Sequence, residues 1–433
     1  MNLKNFKTQT FLFNLIFLAC LLTATFGRSF SGIFIFNFRI GELIVALGLI
    51  TYLFLLFYNI NIFLKRSEYS ILFLLQTLLV ILFVGSLIPS LSSLFNPYVY
   101  KASNYIWTLS YLFIGVFIKK YFIFSKTYLL IMNFFLLLSY FLSVIYYPQF
   151  LVDFFFTYSD KFDFLKAHMH ILFLVVVSIF NFKYLSNKRL NSYYFILISG
   201  LFFPLLIFKS RGSFLSFSIF FLLYLYLNKN YLRTSVIKLL FVIGISGLLF
   251  IQSSILVSDI DANMSETDIV ITNLIENKET KNTFFSFYRS GGRFYSDDGN
   301  INWRLQIWQD VLRDSKEPIR FFWGSGFTEL IPAMDTPSRG GTDGNNENVH
   351  NFFFNVFARG GFTQLIVLFF VYFYLIKHLN TSYPFSLVMA SIIPILCVSF
   401  FDASMENPHF PALFYLFIGF IQQKNYYNKF IKR

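Results

Sequence analysis

The sequence predicts an all-α polytopic integral membrane protein: about 12 transmembrane helices with one large, partly helical outer loop between spans 9 and 10. Three observations predict it. Of 433 residues, 56% are hydrophobic and only 13% are charged, against about 25% charged in a soluble domain. Apolar runs near the roughly 20 residues needed to cross a bilayer recur along the chain. One long polar stretch, Asp259 to Gly361, interrupts them. It holds most of the acids, a cluster of arginines (Arg289, Arg293, Arg304, Arg313, Arg320, Arg339) and Trp303, Trp308 and Trp323.

In order, spans are expected near 9–26, 40–64, 69–89, 103–118, 127–146, 167–182, 191–208, 213–228, 239–257, 361–376, 384–401 and 410–423. Lys4 and Lys7 precede the first, but no A-x-A cleavage site is clear, so it reads as an uncleaved helix. Grouped, 1–208 holds spans 1–7, 209–257 spans 8–9, 258–349 the loop and 350–433 spans 10–12. Lys/Arg bias orients them. With the N-terminus inside, the inner segments carry 18 basic residues, among them Lys65, Lys119, Lys183, Arg189, Lys377 and Arg433. The short outer segments carry seven: Arg28, Arg39, Lys101, Lys161, Lys166, Lys209 and Arg211. Both termini are therefore expected inside and the loop outside. The net charge of +13 reads as topology, with no nucleic-acid partner, because the cations sit at span ends. The 64 Phe read as lipid-facing filler. Cys20 and Cys397 lie within spans and imply no disulfide or metal site.

Within the loop, Asn300 to Ser315 reads as an amphipathic helix, with Ile301, Leu305, Trp308 and Leu312 on one face and Asn300 or Asn302 as cap. Trp323-Gly324-Ser325-Gly326 reads as a turn and Pro332 to Asn348 as a mobile segment. A helix resumes over Val349 to Phe357 and breaks at Gly360-Gly361.

Lys209-Ser210-Arg211-Gly212 stands where the eighth span points its N-terminus outward. Free amides, the positive end of the helix dipole and two basic side chains make an anion site there. An arginine fork grips a diphosphate in a way lysine cannot; the bland alternative is that both cations snorkel. His350 is the histidine beside the loop. Its imidazole can take a proton from a sugar hydroxyl, or it is an ordinary interfacial histidine. Arg289, Arg293 and Arg304 flank Trp303 and Trp308, and each can equally belong to a solvated face. Asp297-Asp298 and Asp343 to Glu347 suggest calcium, but Asn348 stands where an EF-hand loop needs glycine, so flexible loop is the reading and no metal is expected. His168 and His170, two apart, point to different sides of a helix.

These pieces, in this order, resemble the O-antigen ligase and polymerase superfamily of bacterial envelope glycan enzymes. Ser210-Arg211-Gly212-Ser213-Phe214-Leu215 is similar to the family's S-R-G-A-x-L stretch. Arg304 to Trp308, then Trp323 to Phe327, resembles its R-x-x-x-W helix followed by a G-x-G turn. His350-Asn351, nine residues and Gly361 match its H-N-x9-G pattern; Gln364 departs from the Gly, Thr or Tyr that often follows. The resemblance covers roughly 200–410. It implies glycan transfer from undecaprenyl diphosphate to a sugar hydroxyl, on the periplasmic face of the bacterial inner membrane, without metal or other cofactor. The partners it implies are that lipid-linked donor, a glycan or lipid A-core acceptor, and membrane lipids. Carried over, His350 is the base, and Arg211 holds the diphosphate with Arg304. Lys209, Ser210, Arg289, Arg293, Asn351 and Trp308 are then expected around the substrates. The competing class is a lipid or polysaccharide transporter or flippase. It usually shows ionisable residues at mid-membrane, whereas Glu42 is almost the only charge inside a predicted span and lies near its outer end.

Overall fold

The computed structural model describes residues 3–59, 67–121, 124–160, 162–232, 236–262, 286–336, 339, 347–380 and 383–422. Its helices are α1 (Leu3–Phe26), α2 (Ile40–Phe54), α3 (Ser67–Leu87), α4 (Asn104–Thr108), α5 (Ser110–Tyr121), α6 (Lys126–Val144), α7 (Gln149–Tyr158), α8 (Ala167–Tyr184), α9 (Lys188–Lys209), α10 (Arg211–Leu232), α11 (Val236–Ala262), α12 (Gly299–Asp314), α13 (Pro318–Trp323), α14 (Phe352–Asn380), α15 (Phe385–Phe401) and α16 (His409–Gln422), besides several shorter turns.

Among the described residues, eight helices are long and apolar enough to cross a membrane, and each coincides with an expected span. Three further spans fall on the shorter apolar stretches Thr10–Phe26, Phe385–Phe401 and His409–Ile421. The span expected over 103–118 is broken at Leu109 into α4 and α5. Glu42 stands in the first turn of α2, where its carboxylate accepts the Arg39 amide N–H at 3.1 Å.

Helix α8 forms the centre: 78% of its length is buried, and it is apolar nearly all round, as an interior helix must be. Helix α11, only 17% buried, turns most of its surface outward. Where water does not drive association, helices approach through small residues. A β-carbon on Gly115 of α5 would stand 2.2 Å from the Leu416 carbonyl of α16. One on Gly419 would stand 2.0 Å from the Leu112 carbonyl, so these two backbones touch from both sides. Gly200 of α9 meets the Ser246 carbonyl of α11 in the same way, at 2.4 Å.

Two hairpins depart from the all-helical expectation. Strands β1 (Phe34–Ile35) and β2 (Phe38–Arg39) turn through Phe36 and Asn37, both at positive φ. Strands β3 (Phe287–Ser290) and β4 (Arg293–Ser296) turn through Gly291-Gly292. Each has a short polar or glycine-bearing turn that satisfies the left-handed requirement of a two-residue loop. The loop helix also differs in detail. It starts at Gly299, and its cap is Asp298, whose Oδ1 accepts the Ile301 N–H at 2.9 Å, rather than Asn300 or Asn302. Its buried face is Ile307 and Val311, while Leu312 is exposed, because the covering layer comes from Ile331, Met334 and Val349 rather than from the membrane helices alone. Most of the segment read as mobile, 337–338 and 340–346, with Asp343 to Asn346 of the calcium motif, lies outside the described residues.

Candidate active site

One end of the bundle gathers the polar chemistry around the C-terminus of α15. Gly212 opens α10 so closely against it that a β-carbon would stand 2.4 Å from that of Phe401. Beside Gly212, the Arg211 guanidinium donates to Asp298 Oδ2 at 2.7 Å. Asp298 therefore does two jobs, capping α12 with one oxygen and holding Arg211 with the other. From α12, Arg304 donates to the Phe401 carbonyl, where the negative end of a helix dipole favours a cation. Asp402 follows, and its Oδ2 lies 2.8 Å from His168 Nδ1 at the start of α8. Burial alone would raise the Asp402 carboxyl, but His168, Lys166 and Arg304 together hold it well below the usual carboxylate range.

His350 faces this group. Its φ is +53°, left-handed for a non-glycine residue, a conformation that costs of order 1–3 kcal/mol and persists only where surroundings impose it. The Trp303 ring packs edge-on at 4.8 Å from the imidazole. On one side of His350, the Trp308 indole N–H donates to the Val349 carbonyl at 2.8 Å, and Trp308 itself stacks on Phe354. On the other, Asn351 Oδ1 accepts the Phe354 N–H at 3.1 Å, a cap worth about 1 kcal/mol. That cap is why α14 begins at Phe352 rather than at Val349. Burial, then the Arg304 charge and that of Lys166, push the His350 imidazole down to about 4, with Asp402 pulling the other way.

The glycine motifs meet each other. Gly324 ends α13 at φ +72°, ψ −168°, and Gly361 breaks α14 at φ +67°, ψ −173°, a region open essentially to glycine alone. A β-carbon on Gly324 would stand 2.3 Å from the Arg359 carbonyl, and one on Gly361 2.4 Å from that of Phe322. Across the joint the Ser325 and Gly326 N–H groups donate to the Ala358 and Arg359 carbonyls at 2.8 and 2.9 Å, bonds that the broken helix leaves open. The turn and the break are two halves of one joint, and it fixes the helix that begins next to His350.

Of the residues singled out from sequence, Arg211, Arg304 and His350 thus come together. The others take structural places. Arg293 donates to Asp310 at 2.6 Å, and Arg339 pairs with the same carboxylate, which ties β4 to α12. Arg289 lies over the Phe294 ring on the exposed hairpin. Lys209 donates to the Leu165 carbonyl at 2.6 Å. Ser210 accepts the Ser213 N–H at 3.4 Å at the start of α10. Asn351 is fully buried as a cap, and Trp308 anchors the turn before His350. Asp402 and His168 were not singled out as a pair. His170 turns to Ser143 instead, at 3.0 Å. A carboxylate at the very end of an apolar span is the signal that could have found Asp402.

The three motif segments belong to one matched stretch. Residues 195–370 match the O-antigen ligase family model. The resemblance to the O-antigen ligase and polymerase superfamily holds over this segment, which contains Arg211, Arg304 and His350. No curated protein matches the chain. His168 and Asp402 lie outside the matched residues.

Proposed function

We propose that this O-antigen ligase-type protein is a membrane-embedded glycosyltransferase that moves a glycan from undecaprenyl diphosphate to a sugar hydroxyl. We place it in the bacterial inner membrane with both termini cytoplasmic and the 258–349 loop periplasmic. The observations that carry the reading are that Arg304 bonds the end of α15, that Arg211 stands next to Gly212, which packs on that same end, and is held by Asp298 at the cap of α12, and that His350 feels the charges of Arg304 and Asp402. In the reaction the acceptor oxygen bonds to the anomeric carbon. The bond from that carbon to the diphosphate oxygen breaks, and the electron pair leaves with the diphosphate. The acceptor proton passes to His350, and Asp402 stabilises the imidazolium. Arg211 and Arg304 meet the charge that grows on the leaving group, the place where fixed charge helps most. No metal is needed for that role, since two guanidiniums supply it.

Deletion followed by envelope-glycan analysis tests the class. Loss of long chains from lipid A-core with lipid-linked polymer accumulating means ligase, and single capped repeats mean polymerase. Lipid-linked glycan trapped on the inner face means transporter and overturns the proposal. In complementation, His350→Ala is expected to slow transfer about 10² to 10⁴-fold. Arg211→Lys is expected to rescue only in part, because the planar fork is lost. A His350→Ala strain with parental glycan would remove the base assignment, and activity abolished by a chelator would bring a metal back into the mechanism.

A further inference from the structure

Helix α13 is mostly apolar, Pro318-Ile319-Arg320-Phe321-Phe322-Trp323, yet none of its residues is buried. Phe321 turns toward α14, onto the rings of Phe357 at 5.8 Å and Phe362 at 5.2 Å. Ile319, Phe322 and Trp323 stand at i, i+3 and i+4, so they share one face. That face points away from the chain: the three are 76%, 47% and 52% exposed. Arg320 pairs with Glu317 at 3.6 Å and leaves the face uncharged. An apolar patch of this kind is seldom left to water.

The patch continues the outer surface of a membrane span. Beyond Gly361, Phe362, Ile366, Phe369, Phe370 and Phe373 are all exposed. They recur at i, i+4, i+7, i+8 and i+11, which makes them one stripe of α14, and lipid is what such a stripe meets. The two surfaces are joined, because Phe321 rests on Phe362 and the Thr363 hydroxyl donates to the Phe322 carbonyl at 2.6 Å. Length points the same way. From Gly361 to Lys377 the helix rises about 24 Å, short of the roughly 30 Å of a bilayer's hydrocarbon core. Matching that thickness takes about 6 Å more of apolar surface, and α13 supplies it at that level.

We infer that the face of α13 formed by Ile319, Phe322 and Trp323 is set into the bilayer edge on the loop's side, among the first methylenes of the phospholipids, and anchors the polar loop there. Aromatic and aliphatic side chains beside a charged pair suit that layer. The partner is bulk phospholipid and not a substrate, so the inference stands apart from the transferase reading. Through the joint of Gly324 and Gly361 the anchor fixes how far from the membrane surface His350 is held.

The test reads tryptophan fluorescence of the full chain in nanodiscs, one copy per disc. Two quenchers are compared, phosphatidylcholine brominated near the glycerol end of its chains and aqueous acrylamide. Trp107 is buried, and Trp303 and Trp308 pack against His350 and Phe354, so the difference between the parent and Trp323→Phe isolates Trp323. The brominated lipid is expected to quench at least half of that difference signal, more than lipid brominated near the chain ends does, and acrylamide to quench little of it. Ile319→Asp, at the most exposed position of the face, is expected to lift the helix. Trp323 emission then moves to longer wavelength, lipid quenching falls at least twofold and acrylamide quenching rises. Equal lipid quenching of the parent and Trp323→Phe would overturn the inference. In that case acrylamide reaching Trp323 means that the face meets water, and neither quencher reaching it means that the face meets protein. Unchanged lipid quenching in Ile319→Asp would also overturn it, because the helix would not be seated through this face.

Discussion

At the residue scale the proposed chemistry depends on how three charges surround one imidazole. His350 is held near 4 by burial, by Arg304 and by Lys166, against the pull of Asp402, so in the free protein it is neutral and able to accept a proton throughout the neutral range. The acid limb of kcat/KM is expected near pH 4 instead of near the ordinary 6.5 of histidine. Arg304→Gln removes a depressing cation and moves the limb upward; Asp402→Asn removes an anion and moves it downward. A limb at 6.5 that ignores both substitutions would sink this account. The same shift acts on stability. Between pH 6.5 and 4 the unfolded chain binds a proton here that the folded chain does not, so this group's contribution is lost as pH falls through that window. His350, Arg211 and Arg304 could be singled out in the sequence because each sits in a short pattern with a physical reason. Asp402 and His168 were not, because 234 positions separate them in the chain and no local spacing links them.

At the scale of elements, the joint between α13 and the broken α14 makes the sharpest claim. Gly361→Ala forces a β-carbon into the Phe322 carbonyl and a backbone conformation only glycine favours. It is expected to destabilise by more than about 2 kcal/mol, seen as a fall in the thermal midpoint of the detergent-solubilised protein and in its yield. Gly299→Ala is the control: it meets open space at the first residue of α12 and is expected to be neutral within about 0.5 kcal/mol. Equal midpoints for the two would mean that the joint carries no strain. The break at Gly360-Gly361 and the turn at Gly324 to Gly326 could each be read from sequence as punctuation. Their contact could not, since a turn's residues say that the chain bends and not what it bends against. The hairpins were missed for a different reason. Phe36-Asn37 and Gly291-Gly292 are adequate turn signals, but strands of two and four residues have too few side chains to show an alternating pattern.

Over the whole molecule, the charges divide between two ends of the bundle. At one end Arg28, Arg39, Arg211 and His168 pair with carboxylates. At the other, Lys183 donates to the Tyr383 hydroxyl and the Ile421 carbonyl, and Lys188 to the Phe182 carbonyl. Cations that find hydroxyls, helix-terminal carbonyls and aromatic faces in place of carboxylates are what the retained, cytoplasmic side is expected to hold. Phosphatase fusions at Asn345 are therefore expected to be active, and fusions at Asn187 or Asn425 inactive. An inactive Asn345 fusion would put His350 on the wrong side of the membrane for a periplasmic glycan. The spans were readable in sequence because bilayer thickness imposes a length on each. Their neighbours in the bundle were not, because a helix that is apolar on all sides, such as α8, gives no sign of which face meets which partner.

The double duty of Asp298 has a consequence for turnover. Its two oxygens serve a helix cap and Arg211, so under the proposed reaction an arriving diphosphate would compete with a tethered carboxylate for the same guanidinium. Entry of the donor is made harder by that rival. Departure of the spent carrier is made easier, because the carboxylate is already positioned to reclaim Arg211 as the product loosens. A transferase that releases one lipid carrier for every glycan it moves would gain from a grip contested from within, and on the proposed reading Asp298→Asn is expected to lengthen the stay of each carrier.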